Sequence, residues 1–145
     1  MFLEVLDSLS DEKLKRRNAL LVNFGLEAEE NVEKTVLLWD EETLVGCGSI
    51  ADNVLKLIAV NRTYQGQGIS AKIVTALRQE AFKKGKTHLF LYTKPQNEQM
   101  FTDLFFYPVA KTENVLLMEN KKDGVKNFVA SLDKNKNAKA ASAVV

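Results

Sequence analysis

Apolar and polar positions along this chain alternate between helical and strand-like spacing. Ser10, followed by Asp11 and Glu12, offers a capping hydroxyl and two acids to a helix dipole. Leu14, Leu20, Leu21 and Phe24 follow before Gly25, and together they predict a first helix. Two β-rich runs, residues 35–39 and 44–51, flank the acidic turn Asp40-Glu41-Glu42-Thr43 and predict a hairpin. Asp52-Asn53 turns the chain into residues 54–60, whose near-continuous apolarity predicts a strand covered on both faces. Ile69, Ile73, Leu77 and Ala81 then recur every fourth residue and Gly85 follows a basic last turn, predicting a helix over residues 70–84. "THLFLYT" reads as a further strand, and residues 95–104 as a short helix opened by Pro95. "FFYPVA" and "NVLLME" read as a closing hairpin. Val125, Phe128, Val129 and Leu132 stand at i, i+3, i+4 and i+7, an amphipathic helix, ahead of a polar linker and the apolar Ala143-Val144-Val145. The order is that of an α+β protein without internal repeats.

The 145 residues suit one domain with a real core. Twenty Lys and Arg against 19 Asp and Glu leave a formal charge of +1, so no basic field points to nucleic acid. No apolar run approaches a membrane span, and the amino terminus carries acids where a signal peptide has early positive charge; a cytoplasmic location is expected. Cys47 and His88 are each the sole residue of their type, which excludes a disulfide framework and argues against a metal site. Cys47 reads as a small buried residue, His88 as a structural one, and Lys83, Lys84 and Lys86 as a helix C-terminal charge complement.

The candidate chemistry lies in Gln65-Gly66-Gln67-Gly68-Ile69-Ser70, between a strand and a helix. Glycines let backbone N–H groups turn toward an anion, and the following helix adds its unpaired N–H groups and positive dipole end, so the loop is expected to hold phosphate. Gly85-Lys86-Thr87 ends like a Walker A loop, but it follows the helix and has Glu80 in place of the leading glycine. Gly66 to Ala71 satisfies the dinucleotide-binding pattern G-x-G-x-x-A. Against it stand the residues between strand and glycine, and the next strand's end, Leu91-Tyr92-Thr93-Lys94, which lacks a ribose-binding acid.

Val60 at a strand end, followed by Gln65-x-x-Gly68-x-Ser70, resembles the acyl-CoA pyrophosphate loop of the GNAT acetyltransferase superfamily. The resemblance implies an α+β (α/β) GNAT fold, with a mixed central sheet splayed after the fourth strand and flanking helices. It implies acetyl-CoA or a CoA-like prosthetic group as cofactor. Pantetheine would run along residues 57–60, touching Ile58, Ala59 and Val60, and the pyrophosphate would rest on the amides of Gln65, Gly66, Gln67, Gly68, Ile69 and Ser70. Ser70 departs from the family's Gly or Ala; its hydroxyl would reach a phosphate or cap the helix. Lys94 is placed to approach a phosphate.

Five further segments, "GCGSIADNVLKLIAV", "GQGISAKIVTAL", "THLFLYTKP", "MFTDLFFYPVA" and "VLLMEN", resemble the amino-terminal domain of the citrate lyase ligase family. That likeness implies a GNAT-like domain over residues 1–120, with residues 121–145 a helix and linker leading to an absent nucleotidyltransferase domain. The family's enzymes use ATP and acetate to acetylate the prosthetic-group thiol of the acyl-carrier subunit of citrate lyase, the implied partner. ATP and Mg would belong to the absent domain.

Catalysis is harder to place. A GNAT enzyme usually draws a proton from the attacking amine through a carboxylate near its central strand and returns one to the thiolate from a tyrosine. Along residues 54–60 the only ionisable side chain is Lys56, and the tyrosine position falls on Phe101. Phe105 stands where a glycine usually follows the short helix, and Tyr107 is the substitute donor the chain offers, with Tyr92 behind it. Three readings stay open. One is a CoA-binding module of a ligase, another an active N-acetyltransferase moving acetyl from acetyl-CoA to an amine, and the third a non-binding scaffold.

Overall fold

The computed structural model describes residues 1–134, so the expected apolar stub Ala143-Val144-Val145 lies outside the described residues. Two compact units divide the chain, Met1–Tyr92 and a second from Thr93 onward. The first runs β1 (Phe2–Leu6), α1 (Asp11–Val22), β2 (Lys34–Asp40), β3 (Thr43–Ala51), β4 (Val54–Val60), a 3-10 turn (Arg62–Tyr64), α2 (Ile69–Lys83) and β5 (Phe90–Thr93). Its strands lie side by side in chain order, the first four antiparallel and β5 parallel to β4.

Ser10 caps α1 as expected, its Oγ accepting from Lys13 N–H at 3.3 Å. β1 has no counterpart in the periodicity reading. Its pattern is weak because Phe2 and Val5 are exposed and Glu4 interrupts the apolar run. Pairing with β2, from Phe2↔Trp39 to Leu6↔Thr35, makes it a strand. Glu4 is neutralised there, accepting from Lys13 Nζ and Trp39 Nε1, both at 2.7 Å.

Gly46-Cys47-Gly48 in β3 explains how α2 reaches the sheet. A Cβ on Gly46 would lie 2.6 Å from Ile73 Cδ1, and one on Gly48 would lie 2.6 Å from Ile73 Cγ2. The stripe Ile69, Ile73 and Leu77 therefore rides directly over glycine backbone, and close packing of this kind tolerates no added methyl without movement. Cys47 joins the core cluster formed with Leu20, Leu21, Leu37, Leu44, Leu57 and Ala59. It is fully buried, as its sequence setting predicts.

β4 is not covered on both faces. Leu55, Leu57 and Ala59 are buried, while Val54, Lys56, Ile58 and Val60 are half-buried, because a polar residue and a bulge divide the apolar run. The register passes from Cys47↔Ala59 to Ser49↔Lys56, so Leu57 and Ile58 together oppose Gly48, and Leu57 carries φ +54. A bulge adds local twist and bends its strand. β5 pairs with β4 only at Val54↔Phe90 and Leu55↔Leu91, leaving the rest of this edge without a strand partner from β5. The strand expected over residues 87–93 is accordingly shorter. Before Phe90, the Asn53 side chain holds His88 O at 3.3 Å in place of a ladder.

The second unit holds a 3-10 turn (Pro95–Asn97), α3 (Glu98–Thr102), β6 (Tyr107–Lys111), β7 (Leu116–Glu119) and α4 (Gly124–Lys134). The expected closing hairpin is present. Phe101 and Phe106 are buried edge-to-face, ring centroids 6.3 Å apart. α3 ends in paired bonds, Phe105 N–H to Thr102 O and Phe106 N–H to Phe101 O, both 3.0 Å, which put Phe105 in the left-handed region at φ +67. α1 and α2 end the same way, on Gly25 and Gly85. The amphipathic helix forms as α4, with Val125 N–H donating to buried Glu119 at 2.9 Å, while Phe128, Val129 and Leu132 stay exposed.

Candidate functional site

β4, the 3-10 turn and the start of α2 build one continuous feature in the first unit. Asn61 N–H donates to Val45 O at 2.8 Å, so by the alternation of an antiparallel ladder Ala59 faces β3. The backbone groups of Ile58 and Val60 then face the side that β5 has left. Gln65 crosses the strand end, its Nε2 donating to Val60 O at 3.3 Å.

Three contacts pin the base of the loop. Asn61 Oδ1 accepts from Thr63 N–H at 3.0 Å. Arg62 stacks on Phe24 at 4.8 Å and donates to Asn23 O at 3.3 Å. Tyr64 Oη donates to Asp40 at 2.9 Å, which pushes the phenol pKa up because the bond holds its proton. Beyond this base the chain opens. Gly66 and Gly68 have φ of +82 and +75, and a Cβ built on either meets no heavy atom within 4 Å. The glycines are thus required by backbone conformation, and the space where a side chain would stand is open.

Gly68 is the N-cap of α2 and provides no side-chain cap. Helical bonding begins with Lys72 N–H to Gly68 O at 3.3 Å, leaving the N–H groups of Ile69, Ser70 and Ala71 to an outside acceptor. The helix starts one residue earlier than its spacing predicts, so Ser70 stands inside its first turn and is not its cap, which removes one of the two roles expected for its hydroxyl. The Ile69 side chain is buried against β3, so only its amide faces the loop. Open φ-positive glycines followed by an uncapped helix terminus fit a pyrophosphate through backbone donors alone.

Of the predicted site residues, Ile58, Ala59, Val60 and Gln65 through Ser70 are contiguous here. Ala59 is 4 % exposed and turns toward the core, so its side chain is not part of an open edge. Lys94 and Tyr107 belong to the second unit: Lys94 is exposed ahead of the 3-10 turn, and Tyr107 begins β6 half-buried. Tyr92 is 64 % exposed. Phe101 fills its place as packing.

Two residues near β4 escaped the sequence reading. Glu29, in the segment between α1 and β2, pairs with Lys56 Nζ at 2.8 Å and brings a carboxylate to the strand. Arg17 is buried at 3 % exposure. It stands three residues after Leu14 and before Leu20, and a charge in register with an apolar stripe was the signal available. Among the described residues no group of three or more His, Cys, Asp or Glu could hold a metal ion. No helix among them is long and apolar enough to cross a membrane.

Comparison with known proteins follows the same lines. The chain is 38% identical over 121 residues to a [citrate [pro-3S]-lyase] ligase of Klebsiella pneumoniae, covering 81% of this chain and 35% of that protein. It thus spans about a third of the length of that relative. Among solved structures it resembles Escherichia coli ElaA, with TM-score 0.73 and 12% identity over 83% of this chain and 99% of that one. It also resembles an aminoglycoside 6'-N-acetyltransferase complexed with coenzyme A, with TM-score 0.71 and 13% identity over 82% and 96%. Those likenesses carry the fold, a mixed sheet splayed after its fourth strand with flanking helices. The acetyltransferase (GNAT) family pattern matches residues 3–102, and the chain belongs to that family.

Proposed function

We propose that this chain binds a CoA-type thioester, acetyl-CoA or a phosphopantetheine-type prosthetic group, through residues 65–70 and the open edge of β4. The observation that carries the reading is the pair Gly66 and Gly68, both at positive φ with open space before them, feeding the uncapped terminus of α2. Pyrophosphate carries the negative charge such a terminus favours. Pantetheine is a chain of amides, and the backbone groups of Ile58 and Val60 suit it as an added strand would.

The likeness to citrate lyase ligase supports a role as the GNAT-like part of such an enzyme. There the domain would hold or sense the prosthetic group of the acyl-carrier subunit, while ATP chemistry resides elsewhere. Residues 121–145 would lead toward that further domain. Phe101 favours binding without turnover, since a buried phenyl ring gives no proton to a thiolate.

Calorimetric titration with acetyl-CoA tests the proposal, repeated on Gly68→Glu. That variant places a carboxylate before the amides and strains a φ-positive site. Binding by the unmodified chain, with at least a tenfold loss in a folded Gly68→Glu, is the expected result. No binding by the unmodified chain would overturn it. Steady, amine-dependent thiol release would instead establish an active acetyltransferase.

A further inference from the structure

α4 is anchored at its first turn. Val125 N–H donates to Glu119 at 2.9 Å and Asn127 N–H to Asp123 O at 2.8 Å, and Gly124 and Val125 are half-buried. From Lys126 to Lys134 every residue is exposed, so this stretch is not buried against the other described residues. Helices shorter than about 12–15 residues are marginal in water on their own, and in proteins most of their stability comes from packing an amphipathic face. Propensity does not compensate here, because Gly124, Val125, Asn127, Val129, Ser131 and Asp133 are all weak helix formers. What α4 does have is a continuous stripe, Val125, Phe128, Val129 and Leu132, about 100° wide by its spacing. Phe128 is 62 % exposed and Val129 53 %. A helix of this kind needs a surface to lie on.

Charge indicates which surface. Residues 121–145 contain six Lys, at 121, 122, 126, 134, 136 and 139, against Asp123 and Asp133, a charge of +4. Of the chain's total of +1, that leaves −3 for residues 1–120, so the positive charge is concentrated beside the apolar stripe. Two copies of α4 would bring like charge together and repel. A seam against another protein is depleted in lysine, whereas an interfacial helix combines Phe and Leu on one face with lysines around it. Lysine stems also lie along an apolar boundary while their ammonium groups stay in water.

We infer that α4 is a surface anchor, lying in the plane of an anionic lipid bilayer with Phe128, Val129 and Leu132 in the acyl boundary and the lysines at the headgroups. Apolar burial and attraction of the basic stretch to anionic headgroups then act together. An in-plane helix needs no spanning length, so 11 residues suffice. The anchor is separate from residues 65–70 and does not depend on their binding CoA.

Flotation of the whole chain with phosphatidylcholine vesicles, with and without an equal share of phosphatidylglycerol, tests the inference. The chain should bind the anionic vesicles at least about tenfold more tightly than the neutral ones, and added sodium chloride should weaken that binding. Phe128→Glu places a charge in the stripe at an exposed position outside the core, so it should melt like wild type and lose at least about tenfold in anionic-vesicle binding. Failure of the wild type to bind anionic vesicles would overturn the inference and leave the stripe to a protein partner. Equal binding to neutral vesicles would overturn the role of the lysines. Full binding by Phe128→Glu would show charge attraction alone and overturn the anchor. If Phe128→Glu does not fold, the lipid and salt dependence of the wild type decides: anionic, salt-sensitive binding accompanied by a rise in helical circular dichroism sustains the anchor, and binding without that rise removes it.

Discussion

Replacing Phe105 by glycine removes a side chain from a backbone conformation that L-residues avoid. Phe105 sits at φ +67 at the end of α3, where α1 and α2 use Gly25 and Gly85. The left-handed conformation costs roughly 1–2 kcal/mol for a residue with a Cβ. Glycine returns about 0.5–1 kcal/mol of this through its greater freedom in the unfolded chain. The ring itself adds little, because Phe105 is 68 % exposed, and a denatured ensemble already covers roughly 10–40% of its apolar surface. The balance is a stabilisation of about 0.5–1 kcal/mol. For a chain of 145 residues that corresponds to a rise in Tm of roughly 1–4 °C. Thermal unfolding followed by circular dichroism measures it, with Phe105→Ala as the control that discards the ring but keeps the strain. A fall in Tm for Phe105→Gly, or an equal rise for Phe105→Ala, would refute backbone strain as the cause.

Two further outcomes test the packing around β3. Gly46→Ala should cost about 1–3 kcal/mol, since its Cβ would sit 2.6 Å from Ile73 Cδ1. Adding Ile73→Val removes that methyl and should recover part of the loss in urea unfolding, whereas strictly additive effects would contradict the contact. Cys47 makes the pH prediction. Its folded pKa is raised to about 12, above an unfolded value of about 8.5, so its contribution is full below about 8.5 and declines as pH rises through about 12. Wild type should therefore lose up to about 1.4 kcal/mol per pH unit relative to Cys47→Ala above that onset. Parallel urea midpoints from pH 8 to 10.5 would exclude it.

Local chemistry wrote much of this protein directly into its sequence. The Ser10 cap, the Ile69-Ile73-Leu77 stripe and the hairpin turns follow from periodicity and capping, which depend on neighbours a few residues apart. The glycine loop is also local, since Gly66 and Gly68 announce positive φ and the following stripe announces a helix terminus. Distant partners settled the rest. β1 exists through pairing with β2, because its own pattern of exposed Phe2 and charged Glu4 is ambiguous. The β4 edge opens through a bulge opposite Gly48, which no spacing within residues 54–60 announces. Glu29 reaches Lys56, and Arg17 is enclosed, only because the fold carries those elements together. Periodicity reports which face of an element is apolar; burial, charge pairing and strand departure depend on what the chain places against that face.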